Sequence, residues 1–135
     1  TTGIPLRMEA RMVPSSLRNL FVLHFALDYL FALPLMIAPV RAMELFGWEN
    51  AEPVATRLVA AALMGIGGVS LVARNADAAA YRHMLTMKLL WSGAAVLGLS
   101  ISLIEGAPAA TVGFLAIFAA FFGVWLRYRL RLRNA

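Results

Sequence analysis

The chain has 135 residues, enough for one domain, and 61% of them are hydrophobic while only 14% are charged. A soluble domain this short buries only part of the surface its chain exposes and carries about 25% charged residues, so lipid is expected to cover the surplus apolar surface. The absence of cysteine excludes disulfides, thiolate metal sites and cysteine nucleophiles, and the net charge of +5 follows the borders of apolar runs, the pattern of membrane topology rather than of nucleic-acid binding.

Residues 1–16 mix Arg7, Glu9 and Arg11 with apolar side chains. The apolar run that follows has no small-residue cleavage site, so this start does not read as a signal peptide. A short interfacial helix ahead of the run is compatible with the mix. Pro14-Ser15-Ser16 predicts a helix start with a serine oxygen as cap.

The first span is expected over about 17–37, long enough at ~1.5 Å per residue for a hydrocarbon core of roughly 30 Å. Pro34 and Pro39 predict a kink or early end there. Residues 41–53 (RAMELFGWENAEP) read as a loop, with Phe46 and Trp48 suited to the membrane interface and Pro53 placed to open the next helix.

The second span is expected over about 54–73, followed by a polar turn (RNADAAAYR). The third covers about 84–104, and Glu105-Gly106-Ala107-Pro108 makes a tight connection to the fourth, about 109–126. Residues 127–135 read as a basic cytoplasmic tail. The predicted fold is an all-α integral membrane bundle of four antiparallel transmembrane helices.

Orientation follows from the arginines. Nine lie in the N-terminal segment, the second loop and the tail, against Arg41 and Arg57 on the other side. The positive-inside rule then places both termini in the cytoplasm of a cell membrane. The abundance of Arg, Ala and Gly points to a GC-rich bacterial source.

Small residues mark where helices approach closely in lipid. They recur at Ala60, Gly67 and Gly68, at Ser92, Gly93 and Gly98, and at Gly113, Ala116 and Gly123. They pack the monomer or, in surplus, join copies of the chain or other membrane subunits. The aromatics Phe114, Phe118, Phe121, Phe122 and Trp125 are expected to face lipid or a partner.

Asp28 stands near the middle of the first span, where an ionised carboxylate costs roughly 2.5–3.5 kcal/mol on insertion scales. His24 precedes it by four residues and shares its helix face. Lys88, with Trp91 and Ser92 beside it, reaches a similar depth on the third span. These groups predict a polar column ending near His83 at the rim, with Tyr29 on its flank and Arg57 as the alternative partner of Asp28.

Three readings of the column compete. It fixes helix register, with Lys88 free to snorkel; it holds the polar head of a lipid- or quinone-like ligand; or it relays protons or ions. No cofactor is required by the sequence, although His24 leaves open a single-histidine haem or chlorophyll site. A bis-histidine site is disfavoured because His83 lies roughly 10 Å away in depth. Gly65-Ile66-Gly67-Gly68 lies inside an apolar helix and is no dinucleotide loop. The serines lack a His–Asp context, and Glu49 and Glu52 read as a solvated loop.

Ala38-Pro39, then Glu44-Leu45-Phe46-Gly47-Trp48, then Arg57 opening a Gly-rich span that ends in Leu71-Val72-Ala73-Arg74, together resemble the DoxX-like group of small four-helix membrane proteins. The likeness covers roughly residues 20–126. It implies a four-helix membrane fold, a role as an accessory subunit of a membrane oxidoreductase system, and interest in Arg57 and Phe46-Gly47. The His24–Asp28 pair lies outside that pattern. The leading expectation is therefore a non-catalytic accessory or binding subunit. The alternatives are a membrane enzyme using Asp28 and His24 as acid and base on a lipidic substrate, and an oligomeric carrier of protons or small solutes.

Overall fold

The computed structural model describes residues 12–134, so the expected interfacial helix and the arginines Arg7 and Arg11 lie outside the described residues. The regular elements within that range are helical: α1 (Ser15–Ile37), α2 (Pro39–Glu44), α3 (Pro53–Val72), α4 (Ala78–Ile104) and α5 (Ala110–Arg131), then a 3₁₀ turn (Leu132–Asn134). α1, α3, α4 and α5 are each long and apolar enough to cross a membrane. At most 22% of the most apolar stretch of any of them is buried inside the chain. The rest of that surface needs apolar surroundings, as the composition predicts.

The helix boundaries have local causes. At the start of α1 no side chain caps the helix, contrary to the serine expectation. The carbonyl of Pro14 instead receives the amides of Leu17 and Arg18, and Ser16 accepts a hydrogen bond from the Tyr128 hydroxyl at 2.9 Å. α1 runs through Pro34 and ends only at Ile37. Pro39 sets that end, because the residue before a proline is pushed out of the helical region; Ala38 has φ −135° and ψ 66°. Pro39 then opens α2, so part of the expected 41–53 loop is helical.

Gly47, at φ 92°, closes α2, with the Gly47 and Trp48 amides bonded back to Glu44 and Met43. Gly106 closes α4 in the same way, its own amide reaching Leu103 and that of Ala107 reaching Ser102. In each case a glycine takes the left-handed conformation that a helix end of this type requires.

Pro53 opens α3 as expected, but Glu52 has a more specific role than a solvated loop residue. Its carboxylate accepts from the amides of Val54 (3.0 Å) and Ala55 (2.6 Å). Those bonds hold the Glu52 carboxyl below its ordinary value of 4.5. A lowered folded-state pKa stabilises above the unfolded value and is lost as acid protonates the group. Glu52→Gln should therefore be less stable than the parent near neutrality, and the gap should close as pH falls below about 4.5 in thermal melts.

Asp77 caps α4 by accepting from the Ala80 amide at 2.8 Å. The strong helix formers Ala78, Ala79 and Ala80 then extend the helix six residues ahead of the expected Met84. At the other end of the chain, α5 continues past Leu126 to Arg131. Most of the expected tail therefore continues the helix, anchored by the buried Leu132 and by Arg129, which donates to the Thr86 hydroxyl.

The long helices associate as two close pairs, α1 with α3 and α4 with α5, while backbones of different pairs rarely approach. Large side chains bridge the gap. At the arginine-rich end Leu17, Phe21, Tyr81, Leu85, Trp125 and Leu132 form a dry core. A smaller core of Ala32, Ala60 and Leu63 lies between α1 and α3. The two pairs do not close along their full length, and a cavity is left between them.

Candidate functional site

The cavity has a volume of about 560 Å³ and touches α1, α2, α3, α4 and α5. Along α1 its wall runs from His24 through Asp28 and Phe31 to Leu35, about 16 Å at the helical rise. Met43, Phe46 and Trp48 close its far end. Aromatic rings make much of the wall, with Phe114 edge-on to Phe46 at 5.0 Å and Trp91 edge-on to Phe118 at 6.3 Å.

This reverses the expected orientation of the last span. Phe114, Phe118, Phe121 and Trp125 recur at helical spacing and line the cavity, while Gly113, Ala116 and Gly123 face outward. The bulky residues are drawn inward because the two helix pairs stand too far apart for small ones to bridge. Glycines 65, 98, 113 and 123 have no neighbour within 4 Å of an added Cβ, so they do not seat helices within the chain.

At its near end the cavity meets a buried polar group. Gly67 makes it possible: a Cβ there would stand 2.7 Å from Asp28 Cβ and 2.9 Å from Asp28 Oδ2. Without one, α3 packs directly over Asp28. His24 lies one turn earlier on α1, its ring edge-on to Phe121 and Trp125. Lys88 reaches across from α4, its Nζ 3.1 Å from His24 Nδ1 and 2.7 Å from Ser70 Oγ. Ser70 donates its own proton to the Ile66 carbonyl, so it receives from Lys88.

Lys88 does not snorkel. It is 1% exposed, and its ammonium stands 4.9 Å from the Phe21 ring centre and 5.1 Å from that of Trp125, positions that favour a cation. His24 and Asp28 are 7% and 8% exposed.

Asp28 Oδ2 is 3.0 Å from His24 Nδ1 but has no hydrogen bond. The chemistry of imidazole explains the pair of facts. Nδ1 carries either one lone pair or one proton. If it accepts from Lys88 it has nothing to donate to Asp28. One ring nitrogen thus stands between a cation and a carboxylate and can serve only one of them at a time.

His24, Asp28, Lys88 and Trp91 are brought together around one cavity. The other expected members are not. Tyr29 packs on Phe25 with its hydroxyl toward Gly68. Arg57 donates to the Met36 carbonyl at 3.1 Å near α2, away from Asp28. His83 is exposed, and the dry core of Phe21, Leu85 and Trp125 blocks the course of a column toward the arginine-rich end. Among the described residues, no three His, Asp or Glu gather as metal ligands.

Gly67 seats a neighbouring helix, as the small-residue pattern predicts, but Ser70 escaped the sequence reading although a signal for it existed. Thr56, Ala60, Leu63, Gly67 and Ser70 form the buried stripe of α3, and a hydroxyl on a small-residue face marks a polar contact. No family model, curated protein or solved structure matches this chain.

Proposed function

We propose that this chain is a multi-pass membrane protein that binds one amphiphilic molecule and serves as a non-catalytic binding or accessory subunit. Its four long helices cross the bilayer in alternating directions, with both ends on the cytoplasmic face. Nine arginines against two support that orientation. Contacts that gather Ser16 with Tyr128, Arg18 with Arg74 and Thr86 with Arg129 at one end support the alternation.

The observation that carries the binding reading is the polar group set at one end of an otherwise apolar, aromatic-walled cavity. Ligand sites are concave and mostly apolar, with a few convergent polar groups that orient the occupant. A lipid- or quinone-like molecule fits this division, its head on Lys88, His24 and Asp28 and its tail toward Phe46. The dry core beyond Lys88 favours binding over proton or ion movement, since conduction needs polar or hydrated steps on both sides of the buried charges. The resemblance to the DoxX-like group supports the accessory role, with other membrane subunits or further copies of the chain as partners.

Purification in mild detergent, followed by extraction and mass spectrometry, tests the reading. One amphiphile should remain with the wild-type protein near one-to-one. Leu99→Trp, which fills the cavity from α4, should lower that retention by about fivefold or more without changing elution as a folded species. Equal retention by both proteins, or no retained amphiphile, would overturn the proposal. The same preparation reports any co-purifying subunit.

A further inference from the structure

We infer that the cavity selects an amphiphile with an uncharged, hydroxyl-bearing head, and discriminates against fatty acids and fatty amines of the same tail. The inference rests on the binding reading above and adds the class of head group.

The buried group contains one cationic and one anionic side chain, Lys88 and Asp28, with a single imidazole between them. Its sum is neutral whether the proton stays on Lys88 or passes through His24 to Asp28. A charge arriving from a ligand would therefore be uncompensated in a cavity walled mostly by apolar side chains, where an unpaired ion costs several kcal/mol. An acid head would meet the Asp28 carboxylate, and an amine head the Lys88 ammonium.

A hydroxyl meets neither obstacle. The Asp28 carboxylate lines the cavity with His24 Nδ1 as its one polar neighbour among the described residues, so it has acceptor capacity to spare for a ligand O–H. Lys88 has three N–H bonds, of which Ser70 and His24 take two, so a donor remains for the hydroxyl oxygen. The head group that satisfies the site both donates and accepts, and carries no charge.

The chain supplies its own reporter, because all three tryptophans, Trp48, Trp91 and Trp125, line the cavity. Hexadecanol, hexadecanoate and hexadecylamine share one tail and differ in the head. Each is titrated into the purified full-length protein in detergent at about pH 7, where the acid is ionised and the amine protonated. The alcohol should bind about tenfold or more tightly than either ion, judged by saturable change in tryptophan fluorescence.

Asp28→Asn removes the negative member and leaves the Lys88 cation unopposed. Hexadecanoate should then gain about a hundredfold and overtake the alcohol, an inversion that a loss of packing does not produce. Wild-type protein that binds hexadecanoate or hexadecylamine as tightly as the alcohol overturns the charge-neutral selection while leaving the binding reading in place. An Asp28→Asn protein that keeps the wild-type order also overturns it. If none of the three ligands gives a saturable change, the binding reading falls as well. Should Asp28→Asn not fold, the wild-type order of the three heads decides alone.

Discussion

Gly67→Ala lowers stability by about 2 kcal/mol, whereas Gly65→Ala, two positions away on the same helix, leaves it unchanged or raises it by up to ~1 kcal/mol. Both changes add one methyl and improve helix propensity, so propensity cannot separate them. Surroundings do. The new methyl at 65 meets nothing within 4 Å, while that at 67 meets Asp28 Cβ at 2.7 Å and Oδ2 at 2.9 Å. Asp28 Cβ is fixed to the α1 backbone and cannot swing aside, so the two helices must separate. Close approach is the main source of association between helices in lipid, where no hydrophobic force draws them together. Unfolding of the two variants in mixed detergent with increasing dodecyl sulfate measures the difference. Equal stabilities would show that α3 does not sit on Asp28.

Lys88→Met is expected to cost about 3 kcal/mol, the usual scale for removing one member of a buried charged pair. Methionine has similar length and packs well against Phe21 and Trp125, so the loss arises mainly from the groups left behind. Asp28 loses its cation, and Ser70 and His24 Nδ1 lose a donor. Replacing Asp28 by Asn in the same chain removes the stranded charge. The double variant should recover about 2 kcal/mol of the deficit, a coupling measurable by a double-mutant cycle in the same unfolding assay. Additive losses would mean that the two side chains do not share one electrostatic environment. Lys88→Arg does not substitute, because the larger planar head cannot occupy the space between Phe21, Trp125 and Ser70.

Much of the architecture was legible because its determinants are local. Four apolar runs of sufficient length are visible by inspection, and Pro53 and Gly106 mark helix ends through backbone chemistry alone. The His24–Asp28 pair follows from helical spacing, and Lys88 from its depth. Inward and outward faces were not legible. In a soluble helix polarity separates them, but lipid is as apolar as an aromatic-walled cavity, so the stripe of Phe114, Phe118, Phe121 and Trp125 has no distinguishing composition. The same ambiguity hid Ser70, whose meaning depends on a lysine 18 positions later in a different helix. Asp77 and Glu52 were overlooked as caps because each stands in a short polar stretch that reads as loop.

The cavity wall is not sealed. Val59 and Ile117 border it and are 47% and 43% exposed, and the neighbouring Ala120 is exposed as well. These positions lie within the apolar lengths of α3 and α5, so in the proposed bilayer setting the doorway would give onto acyl chains and not onto water. An occupant would arrive from a two-dimensional reservoir. Its occupancy would follow its mole fraction in the leaflet, and diluting the vesicles in buffer would leave that occupancy unchanged.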